Sequence, residues 1–185
     1  MPIVINGSGT VTGLSAGGIS NAKAVATAAM PAGSIIQVVT VTQSGVDSST
    51  STSWVDTANM TASITPQTDS DVRIDFCGCL GHTDNTAMKF RIARVKGGVT
   101  TYHGAADSSE FTMASYTGSS DPTNQHYHQS FHHIDTNPGG DGSTAITYKL
   151  QWKIDSGTIY LGRDDTGSIS TYAGGNSWTL TEIRG

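Results

Sequence analysis

The residues best suited to chemistry in this chain lie close together. The stretch Asn124-Gln-His-Tyr-His-Gln-Ser-Phe-His-His-Ile134 holds four of the chain's six histidines. If it is extended, strand alternation puts His126, His128 and His132 on one face and Tyr127, Phe131 and His133 on the other. A His-x-His pair on a strand presents two imidazoles in one direction. Three such pairs around a threefold axis would supply six nitrogens, enough for an octahedral transition metal at His126 and His128. A polar strand face, with imidazoles bonded to one another, to backbone or to water, accounts for the same residues.

Other candidates are thinner. His-x-His also opens the metal motif of cupins, and Gly139 falls near where that motif places a glycine. The acidic residue expected after the pair is replaced by His132 and His133, and no histidine follows His133 to serve a second motif. A cupin-type metalloprotein is therefore a remote alternative. Cys77, Cys79 and His82 make three metal candidates without a fourth. The two cysteines are too few for a disulfide framework and read as buried thiols. Asp164-Asp165 beside Gly167 reads as a solvated turn, with a calcium ion as the sharper alternative. Trp54, Trp152 and Trp178 read as core or interface anchors, although an exposed Trp can stack on a sugar. No Gly-x-Ser-x-Gly, phosphate loop or glutamate pair is present. No catalytic residues are expected.

The elements that must position these residues are strands. The chain has 185 residues, enough for one domain with a real core. Only 14% of residues are charged, against about 25% in an average protein. The chain is rich in Thr, Ser and Gly, and Glu occurs only at Glu110 and Glu182. Such a composition favours extended chain over helix. From Ile35 onward, apolar alternating runs are separated by turn residues. They are expected at Ile35–Thr42, Met60–Ile64, Val72–Leu80, Met88–Val95, Tyr102–His103, Glu110–Tyr116, His126–Ile134, Thr144–Ile154, Thr158–Gly162 and Ser177–Ile183. Val72–Leu80 and Met88–Val95 read as a hairpin, and Gln43–Ser53 as a loop. The fold expected is a jelly-roll-like antiparallel β-sandwich over residues 34–185.

Residues 1–33 differ from the rest, being small and polar with few large apolar side chains. Ile3–Ile5 and Thr10–Leu14 are short extended pieces, and 22–29 reads as one or two helical turns. This arm cannot bury a core of its own. It reads as a tether, with Ile3, Val4, Ile5, Val11 and Leu14 as its anchors on a partner. Packing on its own domain or a sister subunit is the competing reading.

The net charge of -5 argues against a sequence-independent nucleic-acid partner. Lys89, Arg91, Arg94 and Lys96 read as solvated positions around an apolar strand. No apolar stretch is long enough for a transmembrane helix, and no membrane partner is expected. The opening residues lack the basic and apolar regions of a secretory signal, so synthesis in the cytoplasm is expected.

Two groups of residues carry a resemblance. Thr10-Val-Thr-Gly-Leu-Ser-Ala-Gly-Gly18 with Met30-Pro-Ala-Gly-Ser-Ile-Ile-Gln-Val38 resembles the entry into small β-domains of bacteriophage virion proteins, especially tail-fibre ends. Tyr148-Lys-Leu-Gln-Trp152, Gly157-Thr-Ile-Tyr-Leu-Gly162 and Ser177-Trp-Thr-Leu-Thr-Glu-Ile183 are similar to the final strands of those domains. The resemblance implies a trimeric, non-enzymatic protein of the virion surface, made in the host cytoplasm. It also implies a precedent for His-x-His pairs binding metal across a trimer axis. The short arm fits a capsid cement protein, whose partners would be itself and the major capsid protein. The alternative is a short tail fibre or receptor-binding tip that recognises host glycan. No cofactor is expected beyond the metal that His126 and His128 would hold.

Overall fold

The computed structural model describes residues 4–5, 11–12, 30–43, 45–82, 87–104, 111–114, 127–162 and 175–185. The N-terminal strands are β1 (Val4–Ile5) and β2 (Val11–Thr12). The next are β3 (Ile35–Gln43), β4 (Asp47–Ser49), β5 (Val55–Ile64) and β6 (Ser70–His82). They are followed by β7 (Ala87–Lys96), β8 (Val99–His103), β9 (Phe111–Ala114) and β10 (Tyr127–Asp135). The last are β11 (Ile146–Ile154), β12 (Ile159–Leu161) and β13 (Asn176–Arg184). The described residues contain no helix.

The strands form two antiparallel sheets packed as a sandwich. One runs β3-β13-β6-β12-β4, with β10 on the other side of β6. The second runs β5-β11-β7-β8, with β9 beside β8 along the edge of β7. The all-β sandwich expected from the sequence is therefore present. Helical turns at 22–29 fall outside the described residues.

Alternation dictates which side chains meet between the sheets. Met88, Phe90 and Ile92 of β7 point inward, as do Ile146, Tyr148, Leu150, Trp152 and Ile154 of β11. They face Val72, Ile74, Phe76 and Leu80 of β6 and Trp178 and Leu180 of β13. Phe76 links the layers, with ring centroids 5.1 Å from Phe131 and 6.4 Å from Phe90. Phe90 in turn lies 6.5 Å from Trp152. Each such side chain contributes about 1.5–3 kcal/mol by leaving water, so this aromatic chain dominates the core.

Polar rows bound the apolar centre of the first sheet. The register aligns Gln37, Glu182, Val72 and Asp135 across β3, β13, β6 and β10. Glu182 is fully buried, accepting hydrogen bonds from Gln37 Nε2 and Gln67 N, both at 2.7 Å. At the other end, Gln43, Asn176 and Gly78 share a row, and Asn176 Oδ1 accepts from Cys79 N at 2.8 Å.

Two expectations are corrected. Val72–Leu80 and Met88–Val95 are no hairpin: β6 pairs with β10, β12 and β13, and β7 with β8, β9 and β11. The two strands lie in opposite sheets, and their inward side chains meet between the layers, as Phe76 and Phe90 do. The tight hairpin is β7–β8, where Gly97 and Gly98, both at positive φ, join Lys96 and Val99. That backbone favours glycine and matches the twist of the strands. Within the expected loop 43–53, Asp47–Ser49 forms an edge strand on β12.

Candidate functional site

From Tyr127 onward the histidine stretch falls on β10, which among the described residues is an edge strand bonded to β6. His128 and His132 point to solvent beside Cys79 and Asp75 of β6, while Phe131 and His133 point inward. The division into faces matches the alternation for these four residues. His126 lies outside the described residues, so the His126–His128 pair is not placed. Among the described residues no three His, Cys, Asp or Glu side chains gather as metal ligands. Alternation along β6 puts His82 on the opposite face from Cys77 and Cys79. Cys77 is exposed, contrary to the expectation of two buried thiols, because it faces outward between Ser130 and Ser177. Cys79 is buried.

The inner face of β10 builds a constellation that the sequence did not announce. Asp135 is only 4% exposed, and Arg94 Nη1 lies 2.9 Å from each of its oxygens. Tyr148 donates its hydroxyl to Asp135 Oδ2 at 2.8 Å. His103 Nε2 stands 3.8 Å from the same oxygen, and its ring lies 5.1 Å from that of His133. Thr101 Oγ1 accepts from Arg94 Nη2 at 3.4 Å.

These side chains come from β7, β8, β10 and β11, so the cluster closes the sandwich on the β10 side. Burial and the neighbouring carboxylate hold the Tyr148 hydroxyl far above its usual range, leaving it a committed donor. Burial pushes both imidazoles toward the neutral form. For His103 the Asp135 charge opposes the shift and Arg94 adds to it; for His133 the nearby His103 adds to it. Asp135 already serves Arg94 and Tyr148, an arrangement that clamps two sheets. Arg94 corrects the reading of four solvated cations: it sits on the inward row with Ile92 because the β10 carboxylate receives it.

A second constellation covers the outer face of β5, β11, β7 and β8. The Arg91 guanidinium carbon is 4.5 Å from the Trp54 ring centroid and 3.6 Å from that of Tyr102. Arg91 Nε donates to Gln151 Oε1 at 2.7 Å. Lys153 Nζ stands 4.7 Å from the Trp54 centroid. Gln151 and Lys149 both donate to Asp56, at 2.6 and 2.8 Å. Burial pushes the Asp56 carboxyl up, but these bonds and the Lys149 and Arg91 charges outweigh it and hold it below its usual range. Trp152 and Trp178 are core anchors, as expected; Trp54 is not. The signal that would have found this face is the outward parity of Arg91, Gln151 and Lys153.

The arm is described only in part. Val4 pairs with Thr12 and Ile5 with Val11, while Ile3 and Leu14 lie outside the described residues. Asp164 and Asp165 also lie outside them. Among the described residues, Gly33 ties the chain to the sandwich by donating to Arg184 O at 2.8 Å.

Fold and sites together define an antiparallel two-sheet sandwich with a polar clamp along one edge, an aromatic–cation face, and a separately paired N-terminal arm. No family model matches the chain, and no curated protein matches it in sequence.

Proposed function

We propose that this chain is a non-enzymatic structural protein of the bacteriophage virion surface. In this reading it is a trimeric capsid cement protein with a jelly-roll-like sandwich. Its arm clamps neighbouring coat subunits, and the sandwich is displayed. One observation carries the reading: β1 and β2 pair with each other and with no described strand of the sandwich. A ladder of two residues per strand is far below what stands alone in water. In this reading the surface that completes it belongs to another molecule. Three such arms on one trimer would act at high effective concentration.

The test is binding to expanded capsids by the full chain and by a form lacking residues 1–29. Loss of binding with an unchanged melting temperature supports the tether. Equal binding by the truncated form removes it. Copy number per particle, measured by quantitative mass spectrometry against the coat protein, separates a capsid lattice from a tail location.

A second reading, a receptor-binding tip that recognises host glycan, is favoured by the Trp54–Arg91–Tyr102 stack on the outer sheet face.

A further inference from the structure

We propose that acid parts the sandwich along the side where β8 meets β10, with His103 and His133 taking up the protons that open it. This seam is a pH-gated opening built into the fold, and it is independent of the arm and of the Arg91 face.

The first argument is the charge enclosed at the seam. Arg94 and Asp135 offset one another, and Tyr148 donates to the same carboxylate. The His103 side chain is 18% exposed, and its ring lies 5.1 Å from that of His133. Its Nε2 is buried without a hydrogen-bond partner, 3.8 Å from Asp135 Oδ2. Protonating both imidazoles sets three cations around one carboxylate in a space screened from water, where like charges repel most. A protonated His103 can turn to Oδ2, but that oxygen already accepts from Tyr148 and Arg94, so the new pair forms at their expense. The neighbouring strands supply no balancing anion among the described residues. Opposite His133 and Asp135, β6 presents Ile74 and Val72, while its Asp71, Arg73 and Asp75 alternate onto the outward face. On β10 itself His132 faces solvent, and on β7 Lys96 bonds to Gly139 O. Burial already holds both imidazoles below their ordinary values, as a site opposed to their charge must.

The second argument is where the seam lies. Among the described residues β8 is bonded only to β7 and β10 only to β6, whereas β6, β7, β11 and β13 are bonded on both sides. Repulsion at the seam is therefore relieved by moving outer strands, with the centre of each sheet left intact. The opposite side, where β3 meets β5, is held differently. There Gln37 Nε2 donates to Thr65 O at 2.9 Å and to Glu182 Oε2 at 2.7 Å, and no imidazole joins those contacts. That leaves the β8–β10 side as the acid-sensitive one. Parting it exposes the Phe131 ring, whose centroid lies 5.1 Å from that of Phe76 and 6.4 Å from that of Trp178 in its own sheet. An apolar patch then becomes available in acid and is withdrawn at neutral pH.

The test is hydrogen exchange of the full chain, read by mass spectrometry at about pH 7.5 and about pH 5 and corrected for the intrinsic effect of pH on exchange. The expected result is a loss of protection of about tenfold or more in β8 and β10, with β11 and β13 unchanged. An apolar dye should bind reversibly over the same range. His103→Gln with His133→Gln is expected to abolish both responses, and His132→Gln, on the solvent side of β10, to leave them intact. If the double variant does not fold, His103→Gln alone should reduce them. An equal loss in every strand overturns the seam and leaves ordinary acid destabilisation. Protection unchanged in acid, or a seam that opens as readily in the His103 and His133 variants, also overturns it.

Discussion

Arg94 of β7 and Asp135 of β10 meet across the gap between the sheets, Nη1 lying equidistant from both carboxylate oxygens at 2.9 Å. The pair fixes an edge strand of one sheet onto an interior strand of the other. With Asp135 almost fully buried, the carboxylate depends on these partners to offset its lost hydration.

Arg94→Met is therefore expected to destabilise the fold by about 3–5 kcal/mol, since it leaves a buried carboxylate without its counter-charge. Adding Asp135→Leu should recover a substantial part of that loss, because an apolar pair needs no hydration. Urea denaturation of the two variants checks both statements; equal stability of single and double variants would contradict them.

Tyr148→Phe should cost less, about 1.5–3 kcal/mol, the range for a hydrogen bond to a charged acceptor. The ring stays in the core and the hydroxyl alone is lost. A loss as large as that of Arg94→Met would mean that Tyr148, not Arg94, governs the carboxylate.

The two imidazoles give the clamp a pH dependence of defined sign. Their native values lie below the ordinary 6.5, so the unfolded chain takes up protons first as pH falls. Their contribution is fully present above about 6.5 and is lost as pH falls from 6.5 toward the depressed native values. Melting temperature should decline over that window, and His103→Gln with His133→Gln should flatten the decline. An unchanged slope in the double variant would assign the acid sensitivity to other groups.

Gly140 packs against the chain at the turn before Ser70. A Cβ there would meet the carbonyl oxygen of Pro66 at 2.5 Å and that of Gln67 closer still. Neither atom is the mobile end of a side chain. Gly140→Ala is expected to cost about 1–3 kcal/mol, the range for overpacking, as read from thermal denaturation. A neutral result would show that this turn shifts freely.

Most strands were legible because half-buried strands must alternate, as Ile146–Ile154 does without a break. Partner choice was not, since alternation states which side is inward and is silent on which sheet a strand joins. That is why β6 and β7 read as a hairpin. Arg94 read as a solvated charge for a related reason, and nothing in the sequence singled out Asp135. Each sits on an inward row, and only the tertiary fold brings the partner that makes inward placement tolerable. The face around Arg91 was only half legible: parity marks Arg91, Gln151 and Lys153 as outward, but their separate segments are brought together by strand pairing alone.

The position of β13 between β3 and β6 has a consequence for how the molecule is made. These three strands are bonded neighbours, yet one lies near residue 40, one near 75 and one near 180. A chain emerging from the ribosome holds β3 and β6 without the strand that joins them while β7 to β12 are made. Such distant pairings close slowly. The first sheet can be completed only after Arg184 has been added, and the nascent chain carries open strand edges until then.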